Sequence, residues 1–141
     1  MKLPVTFDDY LFFAEAWMRL ALARLILVFI PFKKMMPLLG KLAGENTGHS
    51  LDNAGGDIEK KISIAIRRGS RYSPWRTKCF EQALAAKMML KRRGIVSIIY
   101  FGVCKNPDSK LLAHAWLKTG AGIVTGGKNL SMYTVLSSFI S

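Results

Sequence analysis

The sequence predicts an α+β domain: a helical N-terminal region, then one helix packed on a small antiparallel sheet. Three observations carry this. Residues 10–32 form an apolar run of helical character. The stretch CFEQALAAKMMLKRRG reads as a helix with both of its ends marked. After Ile95 the chain turns to short β-branched and aromatic runs broken by Gly, Asn, Asp and Pro.

At 141 residues the chain suits one compact domain, which divides into a helical region over 1–56 and a core over 57–141. Hydrophobic residues at 50% against charged residues at 21% exclude a disordered chain. The net charge of +12 calls for a polyanion, an anionic membrane surface or an acidic peptide as partner. A nucleic-acid role rests on charge alone, with no binding motif and no aromatic platform, so no nucleic acid is expected. Two cysteines and no secretory signal point to a reducing, cytoplasmic setting. Their spacing fits no four-ligand zinc site, and neither a metal nor a cofactor is expected.

Taken in order, Asp8 or Asp9 caps the first helix, over about 10–32. Glu15, Arg19 and Arg24 interrupt it, and each charge would cost about 2.5–3.5 kcal/mol at a bilayer centre. A central core helix with a thin polar stripe is the first reading, with Glu15 and Arg19 paired at i,i+4. Contact with a membrane surface or a partner protein is the alternative. Pro31, Pro37 and Gly40 close this segment, and the polar run LAGENTGHSLDNAGGD follows as a loop. His49 in that loop reads as a solvent-exposed histidine. A short helix over 57–68 places Ile58, Ile62, Ala65 and Ile66 on one face, with Gly69 as its stop.

The helix beginning near Cys79 is the best specified. Lys91, Arg92 and Arg93 load its last turn and Gly94 ends it. Cys79, Ala83, Ala86 and Leu90 share one face, so the thiol stands on the buried side of the helix tip. Strands follow over 95–104, which ends in Cys104 (read as a buried structural thiol), and over 111–118, which carries His114. The segment IVTGG is a third strand, and MYTVLSSFIS is either a strand or a short helix.

The positive end of a helix favours an ionised thiol, and Arg76 and Lys78 act in the same direction. A nucleophilic cysteine needs a base, and His114 is the histidine available in the second half of the chain. Backbone amides at the helix tip can serve an oxyanion. An inert buried cysteine and a core histidine would explain the same residues.

A cysteine opening a helix and a histidine on a later strand form the layout of papain-like and transglutaminase-like cysteine enzymes. Trp75–Cys79, EQALAAKMMLKRRGI, the strand ending FGV, AHAWL and IVTGG resemble the core of the microcin-processing, transglutaminase-like leader peptidases of lasso-peptide biosynthesis. The likeness is to the split form, in which the protease stands apart from the leader-recognition protein. The opening ARLILVFIPFKKMMPLLG is also similar to that family. The resemblance implies a nucleophile at Cys79, a base at His114, and a lasso precursor as substrate. It further implies a leader-recognition protein and an ATP-dependent lasso cyclase as partners. Trp75, Gln82 and Trp116 match the family's pattern around the site, although both tryptophans read equally as core aromatics. The family's third catalytic residue is an aspartate on the strand after the histidine strand, whereas here no Asp or Glu follows Asp108. The orienting group is therefore Thr125, Asn129, a backbone carbonyl or an acid from elsewhere. A scaffold on the same fold, binding an acidic leader or partner without cleaving, is the competing function.

Overall fold

The computed structural model describes residues 7–31, 34–35, 41–42, 56–73, 78–105, 107–127 and 130–140. Helix α1 spans Phe7–Phe29, strand β1 Lys41–Leu42, α2 Asp57–Arg71 and α3 Cys79–Arg92. Strands β2 (Ile98–Lys105), β3 (Leu111–Thr119) and β4 (Gly122–Thr125) follow, then a 3-10 turn at Leu130–Met132 and β5 (Thr134–Ile140). The fold is α+β, with every strand pair antiparallel in a sheet of order β1-β5-β2-β3-β4. MYTVLSSFIS thus resolves as a strand, and it enters the sheet between β1 and β2.

Alternation along the strands decides what each face meets. Ile99, Ala115, Leu117 and Phe139 turn inward to join Ala83, Ala86, Met89 and Leu90 of α3 in the core. Phe80 in the first turn of α3 packs on Phe101 of β2, with ring centroids 4.9 Å apart. The other face of the same strands carries His114 and Trp116 on β3, opposite Gly102 and Tyr100 on β2.

Three expectations need correction. Helix α1 already includes Phe7, so Asp8 and Asp9 fall within its first turn and not at the position before it. Helix α2 runs through Gly69 to Arg71 because that glycine is buried against α1. A Cβ there would stand 3.1 Å from Leu20 Cδ1, so Gly69 serves close helix packing and is not a stop. On the same helix Ile58 is exposed and Glu59 is buried in its place.

The fourth correction concerns α1 itself. It fully buries Ala16, Leu20 and Ala23 against α2 and α3, with Phe12, Ile26 and Leu27 partly buried against the core, and leaves its outer face exposed, so it is a flanking and not a central core helix. Glu15, expected beside Arg19, is held by Arg93 and Arg92 of α3, at 2.7 and 2.8 Å. The two guanidiniums, Arg93 first, hold the Glu15 carboxyl below its ordinary range against the opposing effect of burial. Among the described residues no helix is long and apolar enough to cross a membrane.

Candidate active site

Cys79 heads α3 and is half-buried. The Gln82 amide makes the first bond inside the helix, to the Lys78 carbonyl at 3.0 Å. Cys79 therefore stands in the turn whose amides have no acceptor within the helix. That turn is fixed from two sides. The buried Glu81 carboxylate accepts the Lys78 amide at 2.7 Å, which is half of a capping box. It also meets Arg24 of α1 at 3.5 Å. Gln82 Nε2 donates to Ser70 Oγ at the end of α2, at 3.2 Å.

His114 lies across the sheet from Gly102. Its Nε2 is 2.7 Å from the Gly126 carbonyl oxygen. A carbonyl can only accept, so Nε2 carries the proton, and in the neutral ring Nδ1 is the nitrogen left basic. The ring is also clamped by aromatics. Tyr133 stacks on it with centroids 4.9 Å apart, and Trp116 at 5.8 Å. Trp116 is buried and stacks in turn on Tyr100 at 5.5 Å and 11°. A Cβ on Gly102 would come within 3.0 Å of the Trp116 ring and of the Thr134 carbonyl oxygen, so only glycine leaves room for the indole there.

Tyr133 stacks on the imidazole and also interacts with Cys104. Its hydroxyl is pushed above the ordinary tyrosine range, first by desolvation, then by the charge and hydrogen bond of Cys104, and last by the charge of Cys79. Phe80, next to Cys79, packs on Phe101, whose cross-strand partner Ala115 faces the α3 core, whereas His114, the neighbour of Ala115 in the chain, is carried on the other face of β3. Cys104 is buried, as a structural thiol would be, yet it borders this cluster through Tyr133.

The remaining candidates divide. Gln82 and Thr125 line a cavity of roughly 310 Å³ with Gly126 and Gly127, beside the carbonyl that holds His114. The Thr125 hydroxyl is buried there with no hydrogen-bond partner among the described residues. Trp116 is both a buried aromatic and one wall of the imidazole clamp. Trp75, Asn129 and His49 lie outside the described residues. Among the described residues no group of three or more His, Cys, Asp or Glu is placed to hold a metal ion.

Sequence reasoning left Gly126 and Tyr133 unassigned. Gly126 has φ +72°, and a Cβ there would fall 2.6 Å from the Ala115 carbonyl oxygen and 3.1 Å from His114 Nε2. The pair of glycines in IVTGG was the available signal, since a left-handed, closely approached backbone favours that residue. Tyr133 carried no signal beyond its aromaticity.

Helix α3, which Cys79 opens, packs on β3, which carries His114. A family model described as the transglutaminase-like superfamily matches residues 26–138. No curated protein and no solved structure matches the chain. The match spans the greater part of the sequence, from within α1 to within β5, and takes in both Cys79 and His114: the chain belongs to the transglutaminase-like superfamily.

Proposed function

We propose that this protein is a cysteine peptidase that removes the leader from a ribosomally made lasso-peptide precursor. The observation that carries the chemistry is the His114 Nε2 to Gly126 carbonyl bond at 2.7 Å, which leaves Nδ1 as the basic nitrogen of the ring. The substrate class rests on the resemblance of the Trp75–Cys79, AHAWL and IVTGG segments to leader peptidases.

In this reading Nδ1 of His114 takes the Cys79 proton as the sulfur attacks the scissile carbonyl. The oxyanion collects at the helix tip, where backbone amides face it. As the C–N bond breaks, the imidazolium returns the proton to the departing amine, which becomes the new N-terminus of the core peptide. Water, activated by the same Nδ1, then hydrolyses the thioester and frees Cys79. A separate ATP-dependent cyclase would use the freed amine, and a leader-recognition protein would present the precursor.

Mass spectrometry of a precursor incubated with the protein and its recognition partner tests this. Cleavage is expected from the wild type and is abolished in Cys79→Ala and in His114→Ala. Undiminished cleavage by Cys79→Ala would remove the thiolate mechanism. A second reading has its own observation in favour. The imidazole is held by a neutral carbonyl, and loss of the acid from a serine triad costs of order 10⁴-fold. A scaffold that binds the leader and leaves it intact is then the outcome if binding is normal and no processed peptide forms.

A further inference from the structure

We propose that α1 is a membrane-docking helix that seats the protein on an anionic lipid surface. Every described side chain of α1 that is exposed is uncharged. Phe7, Leu11, Met18, Leu22, Leu25 and Phe29 follow one another at helical spacing down the outer face, and Met18 and Phe29 are 66% and 75% exposed. Tyr10, Trp17 and Val28 widen the stripe. From the exposed fractions and ordinary side-chain areas the patch is on the order of 900 Å². A soluble monomer's largest apolar patch is about 300–600 Å².

The opposite face of α1 is committed to the body through Ala16, Leu20 and Ala23. The helix therefore lies flat against the domain and offers one side outward, the attitude of an interfacial helix whose apolar side sinks about 5–10 Å into the headgroup region. Tyr and Trp, both present in the stripe, are the residues that favour that depth.

Charge selects the occupant. A groove of roughly 690 Å³ runs beside the stripe, with Leu11, Met18 and Leu22 as its apolar part and Arg19, Arg92 and Arg93 as its cationic part. Glu15, the acid in that groove, is already bonded by Arg92 and Arg93. Arg24 flanks the other side of the helix. The whole chain carries +12, so a second copy would bring like charge to the interface, whereas anionic headgroups would neutralise it.

Flotation of the full chain with vesicles tests the proposal, comparing phosphatidylcholine alone with phosphatidylcholine mixed with phosphatidylglycerol. Binding to the anionic vesicles is expected to be at least about tenfold stronger and to weaken as salt rises. Met18→Glu and Leu25→Glu, at exposed positions, are each expected to lower it about tenfold or more with the circular dichroism spectrum unchanged. Cys79→Ala should float like the wild type, which separates docking from the proposed peptidase chemistry. The proposal fails if the protein does not float, or if it floats equally well with glutamate at positions 18 and 25. It also fails if light scattering finds a dimer, or a complex with a partner protein, that those substitutions split while vesicles go unbound.

Discussion

Gly126 is where the candidate site is most sensitive to a single methyl group. Replacing it with alanine places a Cβ 2.6 Å from the Ala115 carbonyl and 3.1 Å from His114 Nε2, on a backbone held at φ +72°. The left-handed conformation alone costs an L-residue about 1–2 kcal/mol. The contact with a backbone carbonyl cannot be relieved by a rotamer change, so β4 and β3 must move apart by several tenths of an ångström. The bond from His114 Nε2 to the Gly126 carbonyl goes with them. Gly94 supplies the control: it has the same φ of +72°, but a Cβ there meets nothing within 4 Å. Gly94→Ala should therefore lose about 1 kcal/mol and keep its turnover. Gly126→Ala should lose about 2–4 kcal/mol, adding to the same strain an overpacking cost of about 1–3 kcal/mol. Its turnover of precursor should fall on the order of 10²-fold, the usual consequence of misplacing a reacting group by about an ångström. Denaturant unfolding gives the first quantity and single-turnover cleavage the second. Equal effects of the two substitutions on both readouts would refute the role assigned to the Gly126 carbonyl.

Other consequences follow from the same structure. Tyr133→Phe keeps the ring on His114 and should retain most of the turnover, whereas Tyr133→Ala should lower kcat about tenfold with KM little changed; equal kcat values would show that the stack does not orient the imidazole. Iodoacetamide near neutral pH should label Cys79 before Cys104, because Cys79 is half-buried at a helix tip and Cys104 is buried; peptide mapping over time reads the order, and equal rates in the folded protein would count against it. Lys87 is buried, donates to Ser97 O and Oγ at 2.8 and 3.1 Å, and has its pKa lowered from 10.5 to about 8, chiefly by desolvation and then by Lys91. Between pH 8 and 10.5 the unfolded chain then binds more protons than the folded one. Stability should accordingly rise by about 3 kcal/mol across that window, and a pH series of Tm in Lys87→Met should lack this component. Glu15→Gln should cost about 1–2 kcal/mol near neutral pH by loosening α1 from α3. Because the Glu15 carboxyl is held below its ordinary range, that difference should shrink as pH falls through its folded-state pKa; a difference independent of pH would refute the ion-pair reading.

How much was legible depended on whether the chemistry sits in side chains or in backbone. The start of α3 was legible because Cys79 opens an apolar face that ends in Lys91, Arg92 and Gly94, so local signals agree at both ends. The strand of His114 was legible from its composition and flanking turns. The partner of His114 Nε2 was not, since every residue carries a carbonyl and only folding decides which one arrives; the Gly126 clue was steric. Gly69 was misread for a related reason. A glycine after two arginines looks like a helix stop, and only the approach of Leu20 shows that it makes room for α1. The sidedness of α1 could not be read because its sequence is apolar nearly all round. Such a helix reads as buried on every side, and the seam of Ala16, Leu20 and Ala23 appears only once α2 and α3 are in place.

The order of the sheet also bears on when the site can exist. Strands β2, β3 and β4 pair with their neighbours in sequence, and such local hairpins form within microseconds once their residues are available. Strand β5 must instead be inserted between β2 and β1, closing a loop back to Lys41 and Leu42 across most of the chain. Contacts of that sequence separation are slow to form. Tyr133, which steadies His114, immediately precedes β5. During synthesis, therefore, Cys79 and His114 emerge from the ribosome before the strand that completes their surroundings, and the imidazole clamp closes only after β5 has docked.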